Sequence, residues 1–323
     1  MPQDQTSLMP INEPPTALAQ ADRAMVYAEQ SRAEATKRAY TSDWQRFSSW
    51  CELTVAKSLP ASPQTVAAYI AHLADQGKAV ATIVRALASI SQAHQIAGYD
   101  SPSRSEHVRT VLKGIKRANG IAQRQAAAAT VPVLRQMIDS LPDNLLGIRD
   151  RALLLIGFAG ALRRSELVAL TVADIEFVSE GVVITVRRSK TDQDAAGRQI
   201  GIPFGMAAAT CPVGALQAWL DATGIADGPI FRRVDRWQNL RDKPLAPQAV
   251  ALIVKAAAER AGLDADRFSG HSLRAGLATA AAEAGANGLE IALQTGHKSQ
   301  QMVARYVRKG SLFRGNVAGR TGL

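Results

Sequence analysis

Residues 296–306, Gly296-His297-Lys298-Ser299-Gln300-Gln301-Met302-Val303-Ala304-Arg305-Tyr306, carry the strongest indication of both fold and chemistry in this chain. The last of them is the only tyrosine after residue 99. Two related segments lie upstream, Ala161-Leu162-Arg163-Arg164-Ser165-Glu166-Leu167 and His271-Ser272-Leu273-Arg274. A tyrosine hydroxyl among arginines, histidines and a lysine can attack a phosphodiester, because the cations offset charge on the phosphorus-bound oxygens. The segments together predict a site that cuts DNA without a metal ion.

The size and charge of the chain fit such a substrate. Its 323 residues are 47% hydrophobic, which suffices for a buried core and is more typical of two domains than of one. The formal net charge of +10 suits a polyanionic partner, although a basic enzyme without one fits the charge alone equally well. The cations form two clusters, Arg104, Arg109, Lys113, Lys116, Arg117 and Arg124, and Arg232, Arg233, Arg236, Arg241 and Lys243. Clustering favours contact with a phosphate backbone.

The cysteines and the apolar segments bear on the compartment. Cys51 and Cys211 lie far apart and lack the spacing of a metal site or of a disulfide framework. No stretch approaches the roughly eighteen apolar residues of a membrane span, and the N-terminus lacks a signal pattern. We therefore expect a protein of the reducing cytoplasm with no metal, no cofactor and no membrane partner.

The first part of the chain predicts a tail and a helical domain. Residues 1–30 contain several prolines without sustained periodicity, so we expect a flexible tail. In residues 31–122, apolar residues recur at helical spacing, beginning with Tyr40, Trp44 and Phe47. Ser62 followed by Pro63 is typical of a helix start. We predict a bundle of four helices here.

The alanine-rich segment 123–130 is interpreted as the linker to a second domain, 131–323, although its alanines could equally extend a helix. Predicted helices span 133–141, 147–160, 211–223, 247–261, 272–284, 289–295 and 299–309. Between them, β-branched residues at 181–186 and a second run at 199–203 predict a β-hairpin with Lys190 near its tip.

The order and context of these motifs resemble the tyrosine recombinase family, also called the phage integrase family, and most of all its Cre-like members. The similarity runs from about residue 34 to the C-terminal region. A lone His-x-x-Arg is a weak signal, whereas these segments in this order in a basic two-domain chain are specific. The resemblance implies a mainly α fold, with a SAM-like core-binding bundle and a mixed α+β, mostly helical catalytic domain containing a small β-sheet. Together the domains would close on DNA as a C-shaped clamp.

The resemblance also assigns the catalytic residues. Arg163 matches the first catalytic arginine, and Glu166 the acidic residue three positions later. Lys190 matches the hairpin lysine. His271, Arg274, His297 and Tyr306 match the histidine-arginine pair, the second histidine and the nucleophile. Cre-like members have tryptophan in place of His297, so at this position the chain is closer to the integrase and Xer branches.

Residue chemistry suggests the roles. Arg163 and Arg274 would donate forked hydrogen bonds to the non-bridging phosphate oxygens. His271 could accept the tyrosine proton or bind the phosphate, and Lys190 could protonate the departing 5′-hydroxyl. His297 would be a further donor, and Glu166 would orient the basic groups. Attack by Tyr306 would leave a 3′-phosphotyrosine, which retains the bond energy, so that no ATP is needed.

The family implies an assembly as well. Its members act as tetramers on two double-stranded DNA sites with inverted repeats, pass through a Holliday junction and exchange a C-terminal segment between subunits; off DNA we expect monomers. Among residues that would contact DNA, Arg85 and Ser89 lie on the polar side of a predicted helix. Gln248 could pair with adenine, and Lys113, Lys116 and Arg117 belong to the first basic cluster.

Two other functions remain open from the sequence. A type IB topoisomerase uses similar tyrosine chemistry to relax supercoils without joining two specific sites. A non-catalytic DNA-binding protein of recombinase ancestry would bind its site and form no covalent link. In isolation, Arg163 and Glu166 would be read as a helical ion pair at i,i+3 spacing. The complete residue set favours the catalytic interpretation.

Overall fold

The computed structural model describes residues 34–120, 126–187, 197–297, 299, 301–304, 306 and 321. The chain divides into two compact units, Met1–Arg124 and Gln125–Leu323, hereafter the N-terminal and C-terminal units. The division falls within the predicted linker. The predicted tail 1–30, Lys190 and the end of the predicted helix 299–309 lie outside the described residues. None of the described helices is both long enough and apolar enough to cross a membrane.

The described part of the N-terminal unit consists of four helices, as predicted. They are α1 Glu34–Leu53, α2 Pro63–Asp75, α3 Val80–Ile96 and α4 Glu106–Asn119. Side chains fix two of the starts, because Ser62 Oγ accepts the N–H of Thr65 and Ser105 Oγ accepts that of Val108. The helices enclose a core of fully buried side chains, including Phe47, Ile70, Ile83 and Ile90.

The C-terminal unit is helical with two small antiparallel sheets. Its helices are α5 Val131–Asp139, α6 Leu145–Ala159, α7 Arg164–Ala169, α8 Pro212–Thr223, α9 Pro247–Arg260, α10 Ser272–Glu283 and α11 Gly288–Thr295, and residues 301–304 and 306 are also helical. Its strands are β1 Ile175–Val178, β2 Gly181–Val186, β3 Arg198–Pro203, β4 Arg232–Val234 and β5 Leu240–Pro244.

A buried helix organises the core of this unit. Leu153, Leu154 and Ile156 of α6 are fully buried, as the apolar composition of this segment predicts. The helix packs against α8 and α10, and its C-terminal end leads directly to Arg163. The core therefore fixes the position of the first candidate catalytic arginine.

The predicted β-hairpin is confirmed. Strands β2 and β3 pair antiparallel with Ile184 opposite Ile200, and β1 adds a third strand on the other side of β2. The inward side chains of β2 and β3 are buried, so the sheet has one face on the core. The sequence did not predict α7, β1, β4 or β5, and the second basic cluster folds as the β4–β5 hairpin.

The second half of the predicted linker lies on the C-terminal unit. The Ala127 N–H donates to Arg267 O at 2.6 Å, and the Ala129 N–H donates to Ser272 O at 2.9 Å. Ala129 is completely buried and lies against Gly276 of α10. A Cβ on Gly276 would lie 2.1 Å from Ala129 O. Residues 126–130 thus neither extend a helix nor form a free connector.

Candidate active site

Arg163 is held by Glu166 at the start of α7. Glu166 is buried, its Oε1 accepts a hydrogen bond from Arg163 Nη1 at 2.6 Å, and its Oε2 accepts the backbone N–H of Arg163 at 3.0 Å. The chain enters this turn through Ala161, whose φ of 46° is in the left-handed region. Glu166 therefore fixes both the backbone and the guanidinium of Arg163.

Arg274 approaches the same place from α10. Its side chain is buried, and its Nη1 donates to Ala161 O at 2.8 Å. Its Nη2 is buried without a hydrogen-bond partner among the described residues. Burial and the neighbouring Arg163 lower the pKa of Arg274 to about 10, so the group stays charged at neutral pH. Arg274 thus offers a cationic donor that the described protein atoms leave unused.

His297 and Tyr306 lie side by side. Their ring centroids are 5.8 Å apart with 33° between the ring planes. Tyr306 also packs against a small apolar cluster formed by Ala278, Ala282, Ile291 and Val303. The predicted nucleophile is therefore placed by packing of the terminal helical residues against α10 and α11.

The hydrogen bonds around Thr295 assign the tautomer of His297. Thr295 Oγ1 donates to Ile291 O at 2.6 Å and lies 2.7 Å from His297 Nδ1. A hydroxyl has one hydrogen, so Nδ1–H must be the donor to Thr295, which leaves a lone pair on Nε2. Burial, together with Arg274, Arg163 and Arg198, lowers the pKa of His297 to about 4. This arrangement makes Nε2 an acceptor in the free protein, and the role of His297 as a donor to phosphate stays a prediction.

Arg198 is a site residue that the sequence reasoning missed. Its Nη1 donates to Gln294 O at 3.0 Å, and its Nη2 lies 3.5 Å from Glu166 Oε2. Burial lowers its pKa, and nearby Arg163 acts in the same direction. The available signal was its position directly before the second predicted strand, 199–203, at the end of the polar segment that begins with Lys190.

Two catalytic candidates remain, His271 and Lys190. His271 precedes α10 and is exposed, with its backbone N–H donating to Ser269 Oγ at 3.2 Å. Lys190 lies outside the described residues. Of the predicted set, the structure brings together Arg163, Glu166, Arg274, His297 and Tyr306, which interact electrostatically or by direct contact.

Two residues on α3, Arg85 and Ser89, were predicted to contact DNA, and one of them is buried. Ser89 is only 2% exposed, and its Oγ donates to Tyr40 O at 2.8 Å, so the prediction of a polar surface position is wrong. The hydroxyl faces α1 because α3 is covered on that side. Arg85 has a side chain that is 45% exposed, and its Nε and Nη2 bind the buried Asp43 carboxylate at 2.7 and 3.2 Å.

The other candidates for DNA contact are at the surface. Lys113, Lys116 and Arg117 are exposed on α4, and Gln248 is exposed at the start of α9. In the β4–β5 hairpin, Arg232 is largely enclosed by acceptors of its own unit, including Asp227 O at 2.6 Å. At the tip, the Arg236 guanidinium lies 4.1 Å from the ring centre of exposed Trp237.

Comparison with known proteins gives consistent matches. Residues 129–311 match the phage integrase family. An integrase/recombinase XerD homolog from Selenomonas ruminantium is 43% identical over 296 residues, covering 90% of this chain and 86% of that protein. Recombinase Cre of Escherichia phage P1 is 27% identical over 299 residues, covering 86% of this chain and 85% of Cre.

Solved structures share the fold at low sequence identity. XerH site-specific recombinase bound to palindromic difH substrate gives a TM-score of 0.59 at 17% identity, covering 81% of this chain and 71% of that one. A λ integrase dimer bound to a COC′ core site gives 0.58 at 20% identity, covering 93% and 96%.

The fold, the arginine–histidine–tyrosine cluster and these matches define the class: the chain belongs to the phage integrase family. It is a tyrosine recombinase, and its activity is site-specific recombination. The predicted family and the mainly helical fold class are confirmed.

Proposed function

We propose that this recombinase cuts and rejoins double-stranded DNA with Tyr306 as the nucleophile. The observation that supports this most is the contact of Tyr306 with neutral His297, within reach of the charges of Arg163, Arg198 and Arg274. A tyrosine among fixed cations is suited to attack a phosphate, because the cations stabilise charge as it develops on the phosphate oxygens.

Arg163 and Arg274 would bind the two non-bridging oxygens of the scissile phosphate. A planar guanidinium matches this geometry better than an ammonium group. The unused N–H of Arg274 Nη2 supports this role, since a phosphate oxygen would complete its hydrogen bonding. By analogy with oxyanion-site donors, removal of either arginine should slow cleavage about 100- to 1000-fold.

In the proposed reaction, Tyr306 Oη attacks phosphorus and the bond from phosphorus to O5′ breaks. The products are a 3′-phosphotyrosine and a DNA strand ending in a 5′-hydroxyl. The tyrosine proton would pass to a neutral histidine, and the ring contact favours His297 over His271. Lys190 would protonate the departing oxygen. A 5′-hydroxyl attacking the 3′-phosphotyrosine reverses these steps, so rejoining needs neither ATP nor a metal ion.

Each of the two units would contribute contacts to the DNA. The exposed cations Lys113, Lys116 and Arg117 of α4 would bind phosphates, and Gln248 would reach a base edge. Arg85 would contribute through the nitrogen that Asp43 leaves unused. The DNA-bound states of the XerH and λ integrase structures support this substrate. With DNA as its substrate, the protein would act in the cytoplasm with the nucleoid.

We further propose that protomers that are monomeric off DNA assemble as a tetramer on two sites. Each site would contain an inverted repeat, because two copies of one chain then meet equivalent half-sites. Strand exchange would pass through a Holliday junction, with a C-terminal segment exchanged between subunits. The palindromic substrate of XerH supports the symmetry of the site.

The test is covalent trapping on a nicked suicide substrate prepared from the native locus. Wild-type protein should give a shifted protein–DNA band on a denaturing gel, and Tyr306→Phe should give none. Tyr99→Phe is the matched control, because Tyr99 is a partly exposed tyrosine of the N-terminal unit and should react like wild type.

Other outcomes identify the rival functions. Specific binding without an adduct from wild type would contradict the proposal and favour a binding-only protein. Relaxation of plasmids that lack the site, with no junction intermediates, would indicate a type IB topoisomerase. Junctions that form only with two copies of the site would support strand exchange between specific sites.

A further inference from the structure

Arg198 lies where the β2–β3 hairpin meets the rest of the site. It is the first residue of β3 and pairs with Val186, the last residue of β2. Arg198 is therefore fixed at the end of the β2–β3 ladder that lies next to residues 187 and 197.

The guanidinium of Arg198 joins separate parts of the C-terminal unit. Through Nη1 it binds the carbonyl of Gln294, three residues before His297. The Gln294 side chain donates to Ala159 O at 2.9 Å, at the end of α6. Through Nη2, Arg198 reaches Glu166, which also holds Arg163. One side chain thus connects the hairpin, the His297 segment and the carboxylate behind the first arginine.

Arg198 is also enclosed. Its side chain is 20% exposed, and its Nε is buried without a partner among the described residues. A Cβ on Gly296 would lie 2.9 Å from that Nε, so the guanidinium packs directly on the glycine backbone. Burying a charged group is unfavourable unless its interactions offset the loss of hydration. The enclosure indicates a role other than surface charge.

We propose that Arg198 is a positioning residue of the recombination site, which holds strands β2 and β3, Glu166 and the segment leading to His297 in one arrangement. This inference deepens the proposed function and rests on it for its effect on cleavage. Arg198 acts through other residues, because both of its terminal nitrogens bind protein atoms and its Nε faces Gly296.

The first test measures cleavage by Arg198→Gln with the nicked substrate at saturating DNA. We expect the rate of adduct formation to fall roughly 10- to 100-fold, by analogy with the loss of residues that orient metal ligands. DNA affinity should stay within about twofold of wild type, because both terminal nitrogens of Arg198 bind protein atoms. Arg198→Lys keeps a cation and a donor for Gln294 O, so it should recover part of the rate.

Arg187→Gln is the matched control. Arg187 directly follows β2, pairs with Asp174 and has a side chain that is 64% exposed. The substitution removes the same charge from the same hairpin. Equal rates for Arg198→Gln and Arg187→Gln would overturn the proposal, as would parallel losses of affinity and rate in Arg198→Gln.

The second test uses the free protein and is independent of cleavage. His297 lies near Arg198, whose charge helps to keep the imidazole neutral. In NMR titrations, Arg198→Gln should raise the pKa of His297 relative to both wild type and Arg187→Gln, with a smaller change in Arg198→Lys. An unchanged His297 titration in Arg198→Gln would refute the proposal. If wild type forms no adduct, the proposed function fails, and this titration still decides the placement of Arg198.

Discussion

At the scale of single residues, the contact between Glu166 and Arg163 is both a helical ion pair and a means of orienting the arginine. Their i,i+3 spacing allowed a simple helical ion pair, and the structure contains that pair at 2.6 Å. The same carboxylate also accepts the Arg163 backbone N–H and approaches Arg198. Since three contacts converge on one buried carboxylate, the ion pair is the means by which the arginine is oriented.

The pKa of His297 makes the stability of the protein sensitive to acid. An unfolded histidine has a pKa of about 6.5, whereas burial and nearby arginines lower that of His297 to about 4. Between these values the unfolded chain binds the extra proton, so this contribution to stability is complete above the higher pKa and is lost as the pH falls towards the lower one.

We therefore predict that His297→Gln reduces the loss of unfolding free energy on acidification. Urea unfolding of wild type and variant at pH 7 and near pH 4.5 would measure it. The difference in unfolding free energy between the two pH values should be smaller in the variant than in wild type. An equal difference in both proteins would show that His297 titrates normally.

Arg85 and Arg46 share one buried carboxylate but should differ in their effect on stability. Arg85 binds Asp43 with two nitrogens, the nearer at 2.7 Å, whereas Arg46 approaches it at 3.5 Å. Arg85→Ala would leave the buried carboxylate poorly paired, at a cost of about 1–3 kcal/mol. Arg46→Ala should cost less than about 1 kcal/mol, as for an exposed pair. Chemical denaturation of the two variants tests this order, and equal losses would contradict it.

At the scale of elements, α10 carries Arg274 and depends on its contact with residues 126–130. Gly276→Ala would place a Cβ 2.1 Å from a backbone oxygen of Ala129. We expect a loss of about 1–3 kcal/mol, typical of overpacking, and slower cleavage because α10 must shift. Gly201→Ala is the control, because a Cβ there meets nothing within 4 Å. Chemical denaturation and adduct formation would be measured for both variants. Similar unfolding free energies for Gly276→Ala and Gly201→Ala would argue against the close contact.

The sequence predicted some elements better than others for physical reasons. The long helices were recognised because their periodicity is sustained and caps such as Ser62 mark their starts. Strands β4 and β5 have three and five residues and are rich in charge, so they lack a strand pattern. Ser89 was misplaced because the burial of a helix face depends on which helices cover it. Arg198 was missed because its partner Gln294 is 96 residues away.

At the scale of the whole molecule, the net charge of +10 predicts salt-dependent DNA binding. Each cation that neutralises a phosphate contributes about one unit to the slope of log affinity against log salt concentration. Lys113→Ala should therefore weaken binding on all sequences and reduce the slope by about 1. Lys255→Ala is the control, because Lys255 Nζ already binds Asp266 at 2.9 Å. Equal slopes for wild type and Lys113→Ala would show that Lys113 does not contact a DNA phosphate.

The unused N–H of Arg274 has a practical consequence for handling the protein. A buried cationic donor without an acceptor among the described residues suits any small tetrahedral oxyanion as well as the DNA backbone. Inorganic phosphate or sulfate in a storage buffer would compete for the place of the scissile phosphate. Apparent affinities measured in phosphate would then understate those measured in chloride at equal ionic strength. We therefore expect the buffer anion to act as a competing ligand, whose concentration must be held equal between the rates that are compared.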